Sequence, residues 1–136
     1  MCRNMTEGDR TRNTVETFLD AFESGDFACI TRCLATSGFT FEGPVDRFEN
    51  AGAFVTDLEK YALILRRIER RRLFVDGREA CAVVTFVTSV SDIERTRVVV
   101  WVKTDTNGRI VRIESFLDAR AYTRMFEAAA STPPAG

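Results

Sequence analysis

Phe18 to Pro44 reads FLDAFESGDFACITRCLATSGFTFEGP, and this stretch decides the fold. Val15, Phe18, Leu19 and Phe22 recur at helical spacing and form one apolar stripe over a helix expected from about Arg12 to Ser24. Gly25 ends it where a left-handed cap is favoured, and Asp26 can cap a second short helix carrying Phe27, Ile30 and Leu34. Gly38 to Pro44 then alternates, Phe39 and Phe41 against Thr40 and Glu42, as a short strand closed by Gly-Pro.

Outward from this stretch, a third helix is expected from about Asn50 to Leu63, with Phe54, Val55, Leu58 and Ala62 inward. Four long strands follow: Ile64 to Val75, Arg78 to Val90, Ile93 to Thr104 and Arg109 to Leu117, with Asp76-Gly77 and Asn107-Gly108 as turns. Asp118 is placed to cap a terminal helix carrying Tyr122, Met125 and Phe126. The order predicts an α+β fold: a cone-shaped, curved antiparallel sheet wrapped by the N-terminal helices. Residues 1–12 and 129–136 are expected to be flexible, and 13–128 to form a single domain.

The net charge of −1 gives no global field toward nucleic acid or a membrane, and no apolar run is long enough to span a bilayer. The polar start MCRNMTEGDRTRN lacks the apolar segment of a secretory signal, so cytoplasmic residence is expected. There is no histidine, which excludes Ser-His-Asp and Cys-His catalysis and the common histidine zinc sites. Cys29 and Cys33 stand one helical turn apart; small core-facing residues are expected there rather than a redox pair, and no cofactor or metal is expected. The run Arg66-Arg67-Ile68-Glu69-Arg70-Arg71-Arg72 alternates between the faces of a strand, so it makes no single basic stripe for nucleic acid.

Both faces of the sheet read as apolar. One, holding Val84, Phe86, Arg97, Val99, Trp101, Arg112, Glu114 and Phe116, carries too much apolar area to leave in water, so a homodimer joined through that face is expected.

Phe18-Leu-Asp-Ala-Phe-Glu-Ser-Gly-Asp26, Phe41-Glu-Gly-Pro-Val45 and Asn107-Gly-Arg-Ile-Val-Arg-Ile113 together resemble the nuclear transport factor 2-like superfamily, in its SnoaL-like and ketosteroid-isomerase-like branch. The resemblance runs from about Thr14 to Phe126 and implies a cone around a mostly apolar pocket. It places Val83, Thr85, Val87, Val98, Val100, Val102, Ile113, Ser115 and Leu117 on the pocket face, closed by Phe18, Phe22, Phe41 and Leu58. Residue by residue it also implies that the steroid-isomerase machinery is missing. Gly43 stands at the base position, Phe18 at the oxyanion tyrosine and Val100 at the protonated aspartic acid.

The remaining polar candidates are Asp57, Tyr61 and Glu94. Asp57 is either a pocket acid or base or a boundary carboxylate in water; Tyr61 either donates to a ligand or keeps a wet hydroxyl; Glu94 is either near the mouth or a solvated strand end. Three functions stay open: binding of a small hydrophobic molecule, catalysis on one (isomerase, polyketide cyclase or dehydratase) with a carboxylate acid/base, and a non-catalytic interaction module whose cone is filled by its own side chains.

Overall fold

The structure, a computed structural model, describes residues 5–124. Cys2, Met125, Phe126 and the segment 129–136 lie outside the described residues.

Helix α1 spans Glu7–Ser24, beginning before Arg12. Its start is set by a capping box: the Thr6 hydroxyl accepts from the Asp9 backbone N–H, and the Asp9 carboxylate accepts from that of Thr6. The apolar stripe begins only at Val15, so the stripe alone misses these first turns, and residues 7–12 belong to the domain. They also pack. Thr11 is 1% exposed, and its hydroxyl donates to the carbonyl of Glu7 or Gly77 at 2.9 and 2.8 Å. Thr14 donates to the Gly108 carbonyl at 2.7 Å. The first turns of α1 thus hold two hairpin turns of the sheet.

Gly25 caps α1 at φ 75°, and the Asp26 carboxylate accepts from the Cys29 backbone to start α2 (Phe27–Cys33). Strands β1 (Thr40–Glu42) and β2 (Arg47–Phe48) precede α3 (Ala51–Ala62), which Asn50 caps. The long strands are β3 (Leu65–Asp76), β4 (Glu79–Thr88), β5 (Arg95–Thr104) and β6 (Ile110–Leu117), with a 3-10 turn at Ser91–Ile93 between β4 and β5. Gly77 takes φ 59° in the β3–β4 turn, a conformation that disfavours any residue with a Cβ. A further helical segment occupies 120–124, where the Asp118 carboxylate accepts from the Arg120 backbone N–H at 3.1 Å.

The sheet order is β2-β1-β6-β5-β4-β3. It is mixed, not purely antiparallel: β1 runs parallel to β6, with Phe41 opposite Ile113. β2, absent from the expected strands, is a two-residue partner of β1. The sheet is curved and open, and α1, α2 and α3 lie against its inner face around a core that includes Phe18, Phe22, Ile30, Phe39 and Phe54.

Register corrects one strand. Ala80, Ala82, Val84 and Phe86 stand opposite Val102, Val100, Val98 and Thr96, and residues directly opposite share a face. Val84 and Phe86 therefore point inward, while Val83, Thr85 and Val87 lie on the outer face. The phases of β5 and β6 agree with expectation, since Val98, Val100 and Val102 pair with Leu117, Ser115 and Ile113. Thr85 and Val87 are nonetheless buried, because charged neighbours flank them. Glu69 and Arg97 stand beside Thr85, and Arg67 and Arg95 beside Val87. Glu69 accepts from both Arg67 and Arg95, and these bonds hold its carboxyl below the usual range. The arginine run thus lies on an edge strand where Arg67 pairs with Glu69, and Arg70 with Asp20 of α1.

Candidate functional site

The helices and the curved sheet enclose a cavity of about 370 Å³. Its walls come from α1 (Phe18, Leu19, Phe22), α3 (Phe54, Asp57, Leu58, Lys60, Tyr61), the inner sheet face (Phe86, Val98, Val100, Ile113, Ser115, Leu117) and Tyr122. The loop Gly43 to Asp46 forms its rim, where Val45 is 41% exposed.

Nine expected pocket residues line this space: Phe18, Phe22, Phe41, Leu58, Val98, Val100, Ile113, Ser115 and Leu117. Val83, Thr85 and Val87 do not, for the register reason above. Val102 has the inward phase but sits 1% exposed in the closed end of the core. Phe86, expected outside, is a wall residue, packed edge-on to Phe22 with ring centroids 5.8 Å apart. Phe54, expected to point inward from its helix, also lines the cavity and stacks on Phe41 with ring centroids 4.7 Å apart.

Gly43 is close-packed. A Cβ there would come 3.0 Å from the Phe41 ring tip and 3.2 Å from Ser115 Oγ. A carboxylate at this point therefore needs both neighbours to shift.

Of the polar candidates, Asp57 and Tyr61 both reach the cavity, because positions four apart share a helix face. Glu94 does not: it is exposed at the end of the 3-10 turn. Burial raises the Asp57 carboxyl above its usual range, the nearby Asp46 raises it further, and Lys60 opposes both. Burial, then the hydrogen bond with Tyr122, hold the Tyr61 phenol far above its ordinary value, so it is a neutral hydroxyl near neutrality.

Tyr61 belongs to a chain of hydroxyls that the sequence did not reveal. Its oxygen lies 2.9 Å from that of Tyr122, which lies 3.1 Å from Thr96 Oγ1. Thr96 can donate onward to the Ile93 carbonyl at 3.4 Å, an acceptor that the Thr88 hydroxyl also satisfies at 2.9 Å. Thr96 is 8% exposed. Tyr61, Thr96 and Tyr122 are far apart in sequence, and only the β4–β5 turn and the segment after β6 bring them together.

Cys33 is buried beside Cys29, and burial pushes its thiol up to about 11, which leaves it unreactive. Among the described residues no cluster of His, Cys, Asp and Glu could hold a metal, and no helix is long and apolar enough to cross a membrane.

Asp57 gives a measurable pH signature. Folding favours its neutral form, so its contribution is fully present below the ordinary carboxylate range and is lost as pH rises through the raised folded value. Asp57→Asn is expected to raise Tm at pH 7 by up to about 3 °C, the carboxylate being partly solvated, and to leave it unchanged near about pH 3. Thermal melts at the two pH values check this; an equal shift at both would mean that the charge is not what the variant relieves.

No protein-family model matches the sequence, and no curated protein matches it. Solved structures do. A nuclear transport factor 2-like protein of unknown function from Cytophaga hutchinsonii superposes with TM-score 0.72 at 20% identity, over 90% of this chain and 99% of that one. The chain has the nuclear transport factor 2-like fold. An LEH-like epoxide hydrolase from M. tuberculosis shares this fold with TM-score 0.72 at 19% identity, covering 91% and 97%. A de novo designed protein with a curved β-sheet does so with TM-score 0.73 at 20% identity, covering 95% and 99%. A natural hydrolase and a designed scaffold sit equally near. The nuclear transport factor 2-like fold therefore supplies a hollow cone, and function must be argued from its lining.

Proposed function

We propose that this protein binds a small hydrophobic molecule within the cone. The observation that carries the reading is the cavity itself: about 370 Å³, walled mainly by Phe, Leu, Val and Ile, with a few polar groups converging from α3 and Tyr122. That size and balance suit a small-molecule site, and the open volume speaks against a cone filled by its own side chains. The known hydrolase with this fold lends support of the same kind.

One observation favours a second reading, chemistry on that molecule. Asp57 and Tyr61 meet at one wall, a carboxyl made more basic by burial and a neutral phenol, which is the equipment for moving a proton at an atom placed between them. In that reading the protein is an isomerase, cyclase or dehydratase in type, with Asp57 as base and Tyr61 as hydrogen-bond donor.

The protein also works as a homodimer in this proposal. The outer sheet face exposes Phe74, Val99 and Phe116 at 53, 36 and 50%, in one apolar field with Cys81, Val83 and Trp101.

A native mass spectrum of gently purified protein tests pocket and dimer together: a dimer carrying a small-molecule adduct is expected. Val100→Trp, on the cavity wall, is then expected to abolish the adduct with only about 1–3 kcal/mol lost in stability. An adduct retained by Val100→Trp would place binding elsewhere.

A further inference from the structure

The hydroxyl chain carries the site's ligand chemistry further. Three O–H protons, from Tyr61, Tyr122 and Thr96, serve three links: Tyr61 to Tyr122, Tyr122 to Thr96, and Thr96 to the Ile93 carbonyl. When all three point toward Ile93, every link is made, and the Tyr61 oxygen turns only lone pairs to the cavity. When all three reverse, Thr96 donates to Tyr122, Tyr122 to Tyr61, and the Tyr61 proton is free for the cavity. Reversal gives up only the longest link, at 3.4 Å, and leaves the Ile93 carbonyl satisfied by Thr88 at 2.9 Å. A partly buried hydroxyl chain with a satisfied far end can therefore present either a donor or an acceptor at the same point.

We infer that the Tyr61–Tyr122–Thr96 chain is a reversible specificity element that fixes one oxygen of an otherwise apolar ligand, taking it as an alcohol or as a ketone. The inference rests on the pocket reading and adds the ligand's functional group. Tyr61 makes the contact. Tyr122 and Thr96 are positioning residues that set the direction of its proton. The alcohol has a modest advantage, because it can donate to Tyr61 without reversing the chain. Asp57, one turn away on α3, lies on the same wall and gives the bound oxygen a polar neighbourhood while the rest of the molecule meets aromatic and aliphatic surface.

Three probes with one two-ring skeleton test this: β-tetralol, β-tetralone and the hydrocarbon tetralin, titrated by calorimetry. Both oxygenated probes are expected to bind the wild type at least about fivefold more tightly than tetralin, as one net hydrogen bond allows. Tyr61→Phe is expected to bring all three to the tetralin value. Thr96→Val removes the acceptor that holds the chain toward Ile93, so the alcohol's advantage is expected to disappear and the ketone-to-alcohol affinity ratio to rise about threefold. A variant that merely loosened the fold would weaken all three probes together. If tetralin binds as well as its oxygenated relatives, the inference is wrong and the pocket reading stands. If the ratio is the same in wild type and Thr96→Val, the relay is wrong. If none of the three binds, the pocket reading fails and takes this inference with it.

Discussion

Phe54→Ala is expected to cost about 3–5 kcal/mol of folding stability, the largest effect of any single truncation in this chain. Phe54 is 3% exposed and its ring meets four others, Phe18, Phe39, Phe41 and Phe48, at centroid distances of 6.4, 5.2, 4.7 and 6.3 Å. It joins α1, the strand entering β1, β2 and α3 in one aromatic cluster. The space left by the ring opens onto an existing cavity, so the neighbours have little to collapse against and both the burial and the ring contacts are lost outright. Urea unfolding measures it: the midpoint should fall with an unchanged slope. Phe54→Leu, which keeps most of the volume, should recover more than half. A loss under about 1.5 kcal/mol for the alanine variant would show that the cluster is not the continuous core described above.

The second large effect lies on the other side of the sheet. Phe116→Asp is expected to convert the proposed dimer to monomer, weakening association by two or more orders of magnitude. Phe116 stands opposite Val99, which stands opposite Val83, so the carboxylate replaces the most exposed end of an apolar row. A two-fold interface meets every substitution twice, so two desolvated carboxylates would face each other's surroundings. Phe116 is 50% exposed in the monomer, which keeps the damage to the fold itself small. Sedimentation velocity reads the outcome; a variant that remains dimeric at low micromolar concentration would move the interface off this face.

Sequence patterning revealed those parts of the fold where a single rule decides. Gly25 and Asp26 punctuate α1 and α2 because a left-handed cap and an N-cap have few chemical solutions. The inward phase of Phe54 and Leu58, and with it the cavity position of Asp57, follows from helical period. β4 was not readable in this way. Ala80 to Thr88 carries apolar or small side chains on both faces, so alternation cannot say which face is inside; pairing with β5 does. The parallel β1–β6 pair was equally silent, since a three-residue strand holds too little pattern to name its partner. The early start of α1 was hidden in polar residues whose packing is made by hydroxyls. For the same reason the Tyr61–Tyr122–Thr96 chain could not be foreseen: each member has an ordinary local role, and their juxtaposition is purely tertiary.

The parallel pairing of β1 with β6 has a consequence for how the chain is made. Thr40 finds Arg112 as its partner, so at about 5–20 residues per second the ribosome takes roughly 4–14 s to deliver it. Until then α1 and α2 hold an aromatic face with no finished wall to rest on, while β3 and β4 can already pair as a local hairpin. Closure of the cone thus waits for β6 rather than growing gradually, and a stall before β6 would leave the nascent chain with its future cavity open to other proteins.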